Sequence, residues 1–142
     1  FIRTVKEATS LPLIANGDIV VEEDADDCLR QSGADGVMIG RGTYGRPWFP
    51  NQVRHYLRTG EHLPGPGLQE MYDTVSSHYE YMLEHYGLVI GNRVSRKHVG
   101  WYCDGLPGAK AFRARVYRMA HAPDVVREIE KFYLPQTNSV AA

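Results

Sequence analysis

Two short loops, Asn16-Gly17-Asp18 and Gly40-Arg41-Gly42, hold the residue types best suited to cradle an anion. Glycines let backbone N–H groups approach a phosphate closely, and Arg41 adds a cation with a forked set of donors. Each loop follows a short apolar run, Leu11 to Ala15 and Val37-Met38-Ile39, at the end where α/β folds place ligands. Loops in register on neighbouring parallel strands match the phosphate site that many eight-stranded barrels build. The alternative is that these glycines only make turns.

A second group is basic. Arg93, Arg96 and Lys97 stand at i, i+3 and i+4, and Lys110, Arg113, Arg115 and Arg118 follow on the next helix. Asp104 is the only acid between Arg93 and Arg118. One-sided charge with His98 and Tyr102 beside it suits a nucleic-acid backbone, the alternative being a solvated helix face. The six histidines show no metal-ligand spacing, and His98 alone is kept as a possible RNA contact. Cys28 and Cys103 form neither a metal pair nor a disulfide framework and are expected to be reduced thiols. No nucleophile arrangement, catalytic acid or base, or metal site is predicted.

The elements that must carry these residues alternate at first. Residues 1–8 have helical spacing without an initiator methionine or a cap, which suggests the end of a helix whose beginning is missing. A strand from Leu11 to Ala15 leads through the first loop to a helix opened by Glu22, Glu23 and Asp24, with Ala25, Cys28 and Leu29 inward and Gly33 as a left-handed cap. Val37-Met38-Ile39, apolar on both faces, reads as a parallel strand covered on both sides. This βαβ unit implies a parallel sheet whose uncovered edges need further strands or a partner chain. Arg46-Pro47-Trp48-Phe49 opens another helix, ending near Gly60.

Leu63-Pro64-Gly65-Pro66-Gly67 continues neither helix nor strand and is taken as a linker, 63–67. Beyond it only helical patterns occur. The first, Leu68 to Tyr86, ends at Gly87; a second, near Val89 to Tyr102, is expected to bury Ile90, Val94 and Trp101. A third carries Phe112, Val116, Met119 and Ala120, and a fourth, opened by Pro123-Asp124, carries Val125, Ile129 and Phe132. Four helices with short connections predict an antiparallel bundle, with residues 134–142 expected to fray. The fold class is thus α/β followed by all-α, with 1–62 before the linker and 68–142 after it.

The chain of 142 residues, 43% hydrophobic and with a formal net charge of -1, suffices for one ordinary or two small domains and does not suit a generally basic nucleic-acid binder. No apolar run approaches the ~20 residues of a membrane span, so a cytoplasmic location is expected.

Ile14-Ala15-Asn16-Gly17-Asp18-Ile19, Gly33 to Gly42 with Arg46-Pro47-Trp48, and Arg96-Lys97-His98-x-x-Trp101-Tyr102 together resemble the carboxyl-terminal part of bacterial tRNA-dihydrouridine synthases, the B-type branch above all. That resemblance runs to about Tyr133. It implies the last two βα units of a TIM (β/α)8 barrel that binds flavin mononucleotide (FMN), followed by a helical tRNA-binding bundle. It gives Asn16, Gly17 and Asp18 to the first flavin loop and Gly40 and Arg41 to the phosphate. It implies NADPH as reductant, hydride delivery to C6 of an extruded uracil, and protonation at C5 by a cysteine of an Asn-x-Gly-Cys-Pro loop. That loop, and the lysine and histidine flanking the flavin, have no counterpart in this sequence. The basic residues, Arg93, Arg96, Lys97, His98, Lys110 and Arg113 among them, would grip the tRNA. Rival readings are an RNA-binding module without redox activity, which flavin absorbance in the full-length protein would separate, and a different flavin barrel. The chain alone is predicted to be inactive, with weak or no flavin binding. Dihydrouridine formed in tRNA by the mass-verified chain and NADPH would contradict this.

Overall fold

The computed structural model describes residues 1–140, and the chain divides into two compact units between Gly65 and Pro66.

The first unit contains α1 (Ile2–Glu7), β1 (Ile14–Asn16), α2 (Glu22–Ser32), β2 (Gly36–Met38), a 3-10 turn (Arg41–Thr43) and α3 (Phe49–Thr59). β1 and β2 pair in parallel, with Ala15 opposite Val37 and Asn16 opposite Met38. This register brings the two glycine loops out at the same end of the sheet. The Asp24 carboxylate starts α2 by accepting the N–H groups of Val20 and Val21 at 2.8 and 2.9 Å. Those two bonds hold its carboxyl below the usual range. Gly33 closes the helix at φ 69°, its N–H donating to the Leu29 carbonyl. Arg3 of α1 donates to the last-turn carbonyls of Arg30 and Gln31 at 2.6 and 2.9 Å. Asp35, just before β2, accepts the Leu13 N–H and the Lys6 ammonium, both of which lower its pKa.

Ile19, Ala25, Phe49 and Val53 form the core of this unit, with Cys28, Val37 and Ile39 packed against it. Ala15 points into the unit, whereas Ile14 is 58% and Met38 47% exposed. Within this chain β2 is therefore covered on one face only. Alternation puts Ile14 and Met38 on the face opposite Ala15 and Val37, and α2 and α3 cover only the latter.

The second unit contains α4 (Leu68–Tyr102), α5 (Ala109–Val116) and α6 (Ala122–Val140). Gly87 breaks α4 with φ 76° and ψ 165°. The two parts meet closely beyond the break, where a Cβ on Gly91 would lie 2.6 Å from the Met82 carbonyl oxygen. Val75, Tyr79, Val99, Phe112, Val116, Val125, Ile129 and Tyr133 fill the core, and Phe112 stacks on Phe132 with ring centres 4.3 Å apart.

The buried face of the second part of α4 differs from the expected one. Ile90 is 59% exposed and Val94 and Trp101 are half-buried, while Asn92, Ser95, Val99 and Tyr102 turn inward. Hydrogen bonding explains the choice. The Tyr79 hydroxyl donates to Asn92 Oδ1 at 2.9 Å, and Asn92 Nδ2 donates to the carbonyls of Met119 and Ala120 at 3.3 and 2.8 Å. Satisfied polar groups can be buried, and apolarity alone does not select them. At the other end α6 continues through Pro135 to Val140, within the stretch expected to fray. Residues 141 and 142 of that expected tail lie outside the described residues. Among the described residues no helix is long and apolar enough to cross a membrane.

Replacing Asn92 by alanine removes the acceptor of the buried Tyr79 hydroxyl and the side-chain donor to the Ala120 carbonyl, while Met119 keeps the Arg96 guanidinium. Denaturant unfolding should show a loss of about 1–3 kcal/mol, and unchanged stability would contradict the role given to this amide.

Candidate functional site

The two loops after β1 and β2 open on one cleft of about 710 Å³, lined by Asn16, Gly17, Asp18, Ile19, Val20, Gly40, Arg41 and Gly42. All five residues expected to bind cofactor therefore share one site. Their glycines divide by role. A Cβ on Gly42 would stand 2.1 Å from the Ile19 carbonyl oxygen, so Gly42 is there to let the loops touch. A Cβ on Gly17 would meet nothing within 4 Å, and one on Gly40 only the Met38 sulfur at 4.0 Å. These two glycines leave free space rather than fill a packing requirement, which suits the close approach of a ligand. Asp18 takes φ 23°, a setting that Asp and Asn tolerate better than most side chains.

Arg41 donates through one terminal nitrogen to Asp18, both side chains being largely exposed. A guanidinium has five donors, so this pair leaves others for an anion. Arg46 is the residue whose role sequence reading missed. It donates to the Gly42 carbonyl at 2.8 and 3.2 Å and to that of Val20 at 2.9 Å, and lies 4.3 Å over the Phe49 ring. It thereby ties one loop to the other. Its position four residues after Gly42 was the available signal.

On the helical unit the basic residues separate into two kinds. Arg96 is half-buried and donates to the carbonyls of Tyr117 and Met119, each at 2.8 Å. Arg113 pairs with Asp104, and Arg115 lies 2.6 Å from the buried carboxylate of Glu128. Arg93, Lys97, Lys110 and Arg118 are exposed and have no ion pair among the described residues. Lys97 Nζ sits 5.8 Å above the Trp101 ring. His98 is half-buried, edge-on to Trp101 at 4.8 Å and to His78 at 5.4 Å, and His78 Nδ1 is 2.9 Å from the Tyr102 hydroxyl. Burial chiefly lowers the pKa of both imidazoles, and for His98 the neighbouring His78 and Lys97 add to it.

Cys28 and Cys103 are free thiols, the latter buried and with its pKa raised chiefly by burial. Glu22, Glu23 and His62 bring ligand atoms within 4.8 Å of one another, but Nδ1 and Nε2 of one ring face different carboxylates at 3.7 and 3.1 Å. That arrangement ties residue 62 to the start of α2.

The sequence matches the family described as Dihydrouridine synthase (Dus) over residues 1–136. It is 47% identical over 133 residues to a probable tRNA-dihydrouridine synthase of Rickettsia conorii, covering 94% of this chain and 40% of that protein. It is 45% identical over 134 residues to the protein of that name from Rickettsia prowazekii, with 94% and 41% covered. Against tRNA-dihydrouridine synthase B of Pseudomonas putida it is 42% identical over 139 residues, with 98% and 41% covered. The chain thus spans about 40% of the length of these curated relatives.

Because burial lowers their pKa, His78 and His98 should titrate below the ordinary value of about 6.5 in an NMR pH series. The unfolded chain then takes up protons first on acidification. The stability their neutral forms provide is complete above about pH 6.5 and falls as the pH drops through the lower folded values. Thermal melting across this range checks the sign; a midpoint at or above the ordinary value would refute it.

Proposed function

The chain belongs to the dihydrouridine synthase family, and we propose that it is the part of a tRNA-dihydrouridine synthase that completes the flavin phosphate site and grips the tRNA. The observation that carries this reading is the convergence of Asn16, Gly17, Asp18, Gly40 and Arg41 on one cleft. The cleft is of the size of small-molecule sites, roughly 300–1,000 Å³. Open space beside Gly17 and Gly40 and the spare donors of Arg41 suit an esterified phosphate such as that of FMN.

In this reading residues 1–62 are the carboxyl-terminal part of a (β/α)8 barrel, with β1 and β2 as neighbouring strands of it. Further strands or a partner chain continue the sheet at the free edges of β1 and β2, and the exposed face of Ile14 and Met38 is the one a closed barrel would cover. Residues 63–67 are the linker, and 68–142 form a four-helix bundle that binds tRNA, a partner in keeping with a cytoplasmic place of action. When bound, FMN supplies the redox chemistry that reduces uridine to dihydrouridine, with NADPH as reductant. The residues of this chain bind and orient. Arg41 and the loop backbone hold the phosphate, Arg46 and Gly42 fix the spacing of the loops, and Arg93, Lys97, Lys110 and Arg118 neutralise RNA phosphates. His98 contacts the RNA as a neutral donor or acceptor. Arg96 and Arg113, also expected to touch RNA, contribute as much by shaping the surface, because both hold internal partners.

Labelled tRNA tests the helical part. Arg93→Ala and Lys97→Ala should each weaken binding and lower the salt-dependence slope by about one phosphate. Arg96→Ala should lose thermal stability as well. No tRNA binding by the wild-type chain would refute this half of the reading. For the cleft, Arg41→Ala in the full-length protein should lower flavin retention on gel filtration, and full retention would refute the phosphate assignment.

A further inference from the structure

Beside the basic residues of α4 stands an aromatic side chain from another element, Tyr117. Tyr117 follows α5, its N–H donating to the Arg113 carbonyl at 3.0 Å, and its own carbonyl accepts the Arg96 guanidinium at 2.8 Å. Its phenol end lies directly against Gly100 of α4. A Cβ at that glycine would stand 2.2 Å from the Tyr117 hydroxyl oxygen and 2.6 Å from Cε1. Position 100 is therefore a seat for the ring that any larger residue would fill. Nearly half of Tyr117, 45%, stays open to solvent.

The residues around Gly100 include a cation and a second aromatic ring. Lys97 and Trp101 are on α4 one turn before and one residue after Gly100, with the Lys97 ammonium over the indole. Arg113 and Asp104 lie close enough to the phenol to act on it electrostatically. Aromatic faces among cations hold unstacked bases in a way that tolerates any base, because every base has a π-face.

We propose that Tyr117, seated on Gly100, is a stacking platform for an unpaired base of the RNA that the helical unit binds. This rests on the tRNA-binding reading above. Arg96 then acts as a positioning residue, holding the Tyr117 backbone so that the ring stays on its seat.

The test measures binding of a fluorescently labelled tRNA transcript to the 142-residue chain over a salt series. Tyr117→Leu keeps an apolar cover over Gly100 but removes the π-face, and it should weaken binding about fivefold or more. The slope against salt should not change, since no charge is lost. Tyr117→Phe should bind within about twofold of wild type. Gly100→Ala, which displaces the ring, should reproduce the leucine variant, with circular dichroism melts confirming that each variant folds. Wild-type affinity for Tyr117→Leu would overturn the proposal, as would a loss accompanied by a lower salt slope. If Arg93→Ala and Lys97→Ala weaken binding while Tyr117→Leu does not, the stacking platform fails and the tRNA-binding reading stands. If the wild-type chain binds no tRNA, both fail.

Discussion

The helical unit is organised by the need of the α5–α6 turn for hydrogen-bond donors. The carbonyls of Tyr117, Met119 and Ala120 face α4, where a backbone already bonded along its own helix has no N–H to offer. Asn92 and Arg96, one turn apart on α4, supply the donors from side chains. Once they face the turn, the orientation of that helix is set. Ser95, Val99 and Tyr102 follow them inward, Ile90 is left outside, and Lys97 is directed away from the core. A side chain used in this way is also withdrawn from solvent chemistry, and for that reason Arg96 differs from its neighbour Lys97.

The sheet unit answers a comparable problem by removing side chains. For the loops after β1 and β2 to share a cleft, the Ile19 carbonyl and the backbone at residue 42 must come closer than any Cβ permits. Glycine makes the contact possible and Arg46 holds it, reaching a carbonyl in each loop while its guanidinium lies over Phe49. Asp24 acts from the other side by fixing the N–H groups of Val20 and Val21. The cleft is thus bounded by backbone that has few ways to move. Such preorganisation is what the proposed phosphate site would require.

Much of this was legible in the sequence because it is written in local chemistry. Gly33 and Gly87 mark their breaks through positive φ, and the glycine loops end apolar runs where a parallel sheet puts its ligands. The inward face of α4 was not legible, since Asn92 and Ser95 rank below Ile90 and Val94 on any apolar scale. Only their partners, 27 or 28 residues away for Asn92, justify burying them. Arg46 escaped notice for a similar reason: its role depends on the Val20 carbonyl, 26 residues earlier. Charge runs mislead in the same manner. Sequence gives the sign of a residue, but its availability is decided by partners such as Glu128, which lies 13 residues beyond Arg115.

Availability, rather than number, governs what such a surface can do. Of the seven basic residues from Arg93 to Arg118, Arg96, Arg113 and Arg115 are engaged by carbonyls or carboxylates within the unit. Exposed neighbours one helical turn apart, as Arg93 and Lys97 are, stand roughly 5–6 Å apart at Cβ. That is inside the ~8 Å screening length of physiological salt, so their fields would add on a polyanion in the proposed role. The engaged arginines do not add to this field, but they determine where it lies. Arg96 bonds the carbonyls on either side of Arg118, and Arg113 pairs with Asp104, the one acid in the sequence between Arg93 and Arg118. The surface charge of the unit is therefore shaped by residues that do not themselves remain free.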